Sequence, residues 1–259
     1  MNRPSRYPAE IPILLTTLGL LIVVLIFSAG ATICVIPVLL LVLVGFSYQM
    51  NQEHHRALMR QAYCVPLNGI GSQGDMMSQI GRLVRDCQKI LGCEPVDVFI
   101  APGQQVNAYT FGLSSHKVIV LYEPMLRIMD EDELRFVIGH EMGHIVYGHT
   151  WLNTLLGGMA GMPASLGTAI IFTFAFRWWS RACEYSCDRA GMAACGSMNK
   201  GVSALAQLAV GDINTANELK RALTVIDSQK YTLENMIGEA LSDHPIIAKR
   251  IKALQDFAK

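Results

Sequence analysis

Residues 140–144 read His-Glu-Met-Gly-His. On a helix, positions i and i+4 lie on one face about a turn apart, so two imidazoles with this spacing can fill two corners of a metal tetrahedron. Glu141 sits one residue round from the first imidazole, where its carboxylate can reach a water activated by the metal without joining the ligand set. Gly143 removes a side chain beside the pair. The chemistry implied is hydrolysis on zinc, with Glu141 as the base. A catalytic zinc usually has three protein ligands and one open position, so a further ligand is expected from elsewhere in the chain. The best candidate is Glu184, in a helical-looking stretch from Arg181 to Gly191. Asp188, one turn on, shares its face and could orient a histidine by hydrogen bonding. Cys183 and Cys187 lie in the same stretch and remain alternative ligands. The metal is argued from ligand type, which leaves another divalent ion open.

The elements that must position these residues are legible around them. Asp130 reads as an N-cap with Glu133 at N3, a capping box, and the helix it opens should run through Arg135 and Val137 to about Gly148. Met77, Ile80, Leu83, Val84, Cys87 and Ile90 recur at helical spacing, with Gly92 as C-cap. Val96–Ile100 and Lys117–Tyr122 read as strands, with a turn or loop at Gly112–His116 before the second. From Glu184 onward the chain reads as mostly helical, with Pro245 in the first turn of a last helix.

Upstream, the composition changes. The chain of 259 residues is 51% hydrophobic and only 16% charged, where a soluble domain carries roughly a quarter. Its mean hydropathy of +0.32 points towards partial solvation by lipid. No charged residue occurs between Glu10 and Glu53, room for two helices of the roughly twenty residues a bilayer requires. The stretch divides near Ser28-Ala29-Gly30-Ala31 into helices around Ile11–Phe27 and Thr32–Tyr48. A cleaved signal peptide is the competing reading, but the apolar run resumes for another helix length beyond that site. Arg3 and Arg6 on one flank and Arg56 and Arg60 on the other place both ends in the cytoplasm, and the catalytic part with them.

A further uncharged stretch runs from Thr150 to Phe176. If His144 and Glu184 hold one ion, both ends of this stretch lie on the same side of the bilayer. It is too short for two spans of roughly twenty residues, so a short helical hairpin is expected, packed on the domain or dipping into the membrane. Trp178 and Trp179, beside Arg177 and Arg181, suit either an interfacial anchor or an ordinary core. The formal net charge of zero gives no basic field, and nucleic acid is set aside as a partner. Seven cysteines with no framework spacing read as free thiols.

The pairing of His-Glu-Met-Gly-His with the downstream Glu-Tyr-Ser-Cys-Asp resembles the gluzincin family of HtpX-type membrane metalloproteases, to which the CAAX prenyl endopeptidase is related. Asn107-Ala108-Tyr109-Thr110-Phe111-Gly112 resembles that family's Asn-Ala segment, and Asp243-His244-Pro245 with Arg250-Ile251 its late His-Pro motif. The resemblance implies one zinc per chain on His140, His144 and Glu184, with Glu141 as base. It puts His244 near the site as a transition-state stabiliser or a helix cap, and Asn107 as a substrate contact or a turn cap. The implied fold is α+β: a mainly helical zincin-like metalloprotease domain with a small sheet over residues 75–259, an apolar insertion at about 150–177, a linker at 51–74, and a transmembrane helical hairpin at 1–50. The implied protein is an integral membrane endopeptidase for unfolded or damaged polypeptides, facing the cytoplasm, at the inner membrane if bacterial. A non-catalytic scaffold that retains zinc, or a processing protease for one dedicated substrate, are the competing readings. Val118–Leu121 is the expected edge strand for an extended substrate. Oligomeric state is open.

Overall fold

The β-branched and aromatic runs of the middle of the chain pair as a four-stranded sheet, and the amphipathic helices cover it. In this computed structural model the described residues are 4–27, 38, 41–42, 45, 49, 52–53, 56–57, 59–67, 76–104, 106–112, 117–150, 167–211, 213, 215–228 and 247–258. The strands are β1 (Tyr63–Cys64), β2 (Val96–Ala101), β3 (Ala108–Phe111) and β4 (Lys117–Tyr122). Their order is β1-β2-β4-β3, with β2 and β4 parallel and the outer pairs antiparallel. Two expectations change. Val118–Leu121 is an inner strand, hydrogen-bonded to β2 on one side and β3 on the other, so the edge is β3. The stretch expected as a linker supplies β1, and Val65 beside it is buried.

The helices are α1 (Glu10–Phe27), α2 (Met76–Leu91), α3 (Glu123–Ile128), α4 (Glu131–Val146), α5 (Gly167–Cys195), α6 (Met198–Val210), α7 (Ala216–Ser228) and α8 (Ile247–Phe257). The α4 capping box forms as expected: the Asp130 carboxylate accepts from the Asp132 and Glu133 amides, and Glu133 accepts from the Asp130 amide. Gly92 ends α2 at φ +60°. The far end of α4 closes in a Schellman motif, in which the His149 amide donates to the His144 carbonyl and Gly148, at φ +73°, donates to Ile145.

Helix α5 is 29 residues long and packs along α4. A methyl placed on Gly139 would lie 2.5 Å from the Ala194 side chain, and one on Gly143 would lie 3.1 Å from the Cys187 Cα. These two glycines, with Ala190, Gly191 and Ala194 facing them, let the helix axes approach. α1 lies against the middle of α5, where Ile13, Leu14 and Phe176 cover Trp179 and Cys183. Trp179 is therefore core, while Trp178 is exposed. Other α1 side chains, Leu15, Leu20, Ile22 and Ile26 among them, are exposed. Among the described residues no helix is long and apolar enough to cross a membrane. The expected second span lies almost wholly outside the described residues, as do residues 151–166 of the apolar insertion. The latter's end is the start of α5, which runs unbroken through Arg177 to Glu184 and beyond.

Candidate active site

The close packing of α4 on α5 sets the geometry of the site. His140 and His144 share one face of α4, with ring centroids 5.2 Å apart. Glu184 comes from α5 and lies between them: Oε2 is 3.5 Å from His140 Nε2, and Oε1 is 3.5 Å from His144 Nε2. Zinc bonds of roughly 2.0–2.2 Å at tetrahedral angles set ligand atoms about 3.3–3.5 Å apart, so this donor set fits the metal. The three side chains are buried together with Glu141. Cys187 Sγ also lies within 4.8 Å of the imidazole donors. Burial, with Glu184 and other acidic neighbours, pushes its thiol pKa well above the ordinary value. Cys183 faces His149 and Glu10 instead.

Behind the ligands lies a charged layer. His140 Nδ1 is 3.0 Å from Asp188 Oδ1, which fixes the proton on Nδ1 and leaves Nε2 as the free donor. Asp188 is in turn gripped by Arg250 of α8, through Nε to Oδ2 at 2.9 Å and Nη2 to Oδ1 at 2.6 Å, while Arg250 Nη1 is 3.0 Å from Glu184 Oε2. Arg250 Nη2 also lies 3.3 Å from His140 Nδ1, but two donors facing each other make no hydrogen bond, and Asp188 takes both. Burial raises the pKa of the Asp188 carboxyl, but the Arg250 guanidinium and the hydrogen bonds from Arg250 and His140 outweigh it and hold it below the usual range. Burial lowers the Arg250 pKa, and Asp188 and Glu184 more than restore it.

Glu141 faces the sheet edge. Thr110 of β3 donates its hydroxyl to Glu141 Oε2 at 2.6 Å, with the Glu141 carbonyl 3.1 Å from the same oxygen. This ties the acid to the strand that, among the described residues, has no neighbour on its outer side. Asn107, just before β3, is exposed; its side-chain oxygen accepts from the Ala108 amide at 2.9 Å, the turn-capping alternative. His244 lies outside the described residues.

The sequence profile of peptidase family M48 matches residues 73–258. The chain belongs to that family. Its members are zinc-dependent metalloendopeptidases, and this chain is accordingly a hydrolase with zinc as its cofactor. Among similar proteins, the plastoglobule-localized metallopeptidase 48 of Arabidopsis thaliana chloroplasts is 30% identical over 202 residues, covering 71% of this chain and 58% of its own length. The protease HtpX of Chromohalobacter salexigens is 25% identical over 220 residues, 71% of each chain. An HtpX homolog of Fusobacterium nucleatum is 23% identical over 284 residues, 94% of this chain and 90% of that one. The chain thus spans less than two thirds of the first relative and most of the other two. The M48 match covers every element that carries a site side chain, from β3 to α8.

Two residues that touch this site carry no local signal. Arg250 stands in a stretch that resembles the family's late motif, but nothing local says that it reaches back to α5. Thr110 lies in the Asn-Ala segment, where its type alone assigns it no role. Glu10 and His149 had no signal beyond their types.

Proposed function

We propose that the chain is a membrane-anchored zinc endopeptidase that hydrolyses unfolded or damaged polypeptides, membrane proteins among them, in protein quality control. The observation that carries this reading is the Glu184 carboxylate set between His140 and His144, with Glu141 held beside them at a sheet edge. Zinc on those three ligands would supply Lewis acidity, polarising the scissile carbonyl and acidifying the attacking water. Glu141 takes the proton from that water and delivers it to the leaving amine, and the Thr110 hydroxyl aims its carboxylate. Asp188 keeps His140 in the tautomer that presents Nε2, and Arg250 balances the two buried carboxylates. β3 can take an extended substrate as an added strand, which favours chains that have lost their fold.

The membrane part rests on the uncharged stretch after Glu10 and on the exposed leucines and isoleucines of α1. α1 alone is roughly 27 Å long, just short of a hydrocarbon core of about 30 Å. The deciding experiment compares casein cleavage by zinc-loaded wild type and Glu141→Gln in detergent. Cleavage is expected only from the wild type, with one zinc retained by both. Zinc retained without cleavage by either would favour a scaffold or a single dedicated substrate, and absence of zinc from both would overturn the ligand set.

A further inference from the structure

The polar residue at the start of α1 is fully buried, which is unexpected for a carboxylate at the end of an apolar helix. Glu10 Oε1 accepts from His149 Nε2 at 2.9 Å and pairs with Arg6, while its Oε2 accepts from the Ser186 hydroxyl. The other imidazole nitrogen, His149 Nδ1, is 3.6 Å from Cys187 Sγ. Around this centre, Arg6 Nη2 donates to the Tyr147 carbonyl at 2.6 Å and Tyr147 Oη donates to the Pro4 carbonyl at 2.9 Å. The Tyr7 amide donates to Ser186 Oγ at 2.8 Å, and Arg189 donates to the Arg6 carbonyl at 2.8 Å.

The points of attachment are not random. Tyr147 is the C-cap of α4, and Arg6 answers one of the carbonyls that the helix end leaves over and complements its dipole. His149 is the residue whose amide closes the Schellman motif on the His144 carbonyl, and its ring lies 5.4 Å from the His144 ring. Ser186 follows Glu184 by two residues on α5, and Cys187 by three. The segment from Pro4 to Glu10 therefore grips the last turn of the helix that carries His144 and the turn of the helix that carries Glu184, at the same time.

We propose that Glu10 is a positioning residue of the zinc centre, and that the segment Pro4–Glu10 is a strap that holds His144 and Glu184 at coordination distance. The inference rests on the assignment of those two residues as ligands. It makes the root of α1 part of the catalytic machinery rather than an anchor joined to it by a passive linker. Glu10, His149 and Cys183 also place three donor atoms within 4.8 Å of one another, a spacing that a metal ion would need. Arg6 against the same carboxylate opposes it: a cation already occupies that oxygen, and Ser186 and His149 satisfy the rest. The hydrogen-bonded strap is complete without metal.

The test loads the full chain in detergent with cobalt(II) in place of zinc and records its visible ligand-field absorption, alongside the rate at which zinc passes to a chelator. Groups bonded directly to metal ligands typically change affinity by about 10–100-fold when removed, and Glu10, which acts through His149 and Ser186, belongs at the low end of that range. For Glu10→Gln we expect altered cobalt bands and zinc release about 10-fold faster, and for Ser186→Ala a smaller change in the same direction. A strap that merely stabilises the fold would lower the melting temperature and leave cobalt bands and zinc release as in the wild type, which overturns the proposal. If Glu10→Gln does not fold, Ser186→Ala decides alone by the same two readings. Two zinc ions per wild-type chain and one in Glu10→Gln would overturn it in favour of a second site. Wild type that binds neither metal removes the ligand assignment itself, an outcome separate from the strap's own failure.

Discussion

At the scale of single residues, the site is organised by charge taken out of water. Glu184 and Asp188 are both buried, and Arg250 answers both with one planar fork. Removing one partner of such a buried pair costs about 3–5 kcal/mol, because the remaining charges stay desolvated. Arg250→Met should therefore lower the urea midpoint strongly and release zinc. Arg250→Lys, which keeps the charge but cannot reach both carboxylates with a fork, should fall between; a variant that melts and binds zinc like the wild type would remove the role given to Arg250. His149 provides a pH signature. Burial pushes its pKa down from 6.5 to about 4; the His144 and Arg6 charges act in the same direction, and Glu10 opposes them. The unfolded chain thus takes up a proton at His149 near pH 6.5 while the folded chain does not until about pH 4. The stability that goes with neutral His149 is complete above pH 6.5 and is lost as pH falls towards 4, at most about 3 kcal/mol. Urea midpoints from pH 7 to 4 should fall less steeply for His149→Gln than for wild type, and equal slopes would count against the assignment.

At the scale of elements, the decisive contact is α4 against α5. Alanine at Gly139 should gain helix propensity of about 1 kcal/mol, but its methyl would stand 2.5 Å from the Ala194 side chain. Overpacking of this kind costs about 1–3 kcal/mol, so the clash wins and the helices move apart. Gly139→Ala is expected to weaken zinc binding more than its loss of melting temperature alone would suggest, as read by chelator competition. Unchanged zinc affinity would mean that the helix separation does not set the ligand distances. Much of this level was legible in the sequence. The Asp130–Glu133 capping box, α2 with Gly92, the limits of β4 and, to within one residue, those of β2 are all local signals, carried by neighbours in the chain. The edge position of β3 was not, because strand order depends on which strands find partners. A four-residue strand with no alternation of burial carries no mark of where it will lie.

At the scale of the whole molecule, the two expected halves are joined more closely than the composition implied. The catalytic part buries Glu10, and the apolar row of α1 is left facing outward, where each half-exposed leucine forfeits roughly half of the 1.5–3 kcal/mol that full burial would supply. Lipid would recover that, so the expressed chain should stay with membranes through alkaline carbonate extraction and need detergent for release. Release by carbonate alone would count against the anchor while leaving the zinc chemistry untouched.

What the sequence by itself determined is the chemistry: His140, Glu141 and His144 are close because they are turns of one helix, and Glu184 and Asp188 share a face for the same reason. Covalent spacing and the helical period fix such relations before any folding. Only the tertiary structure decided which distant groups complete them. Arg250 stands 62 residues from Asp188, Thr110 is 31 residues from Glu141, and Glu10 is 139 residues from His149. Those pairings follow from helix packing through small residues and from the need of each buried charge for a partner, neither of which is written in any local stretch of the chain.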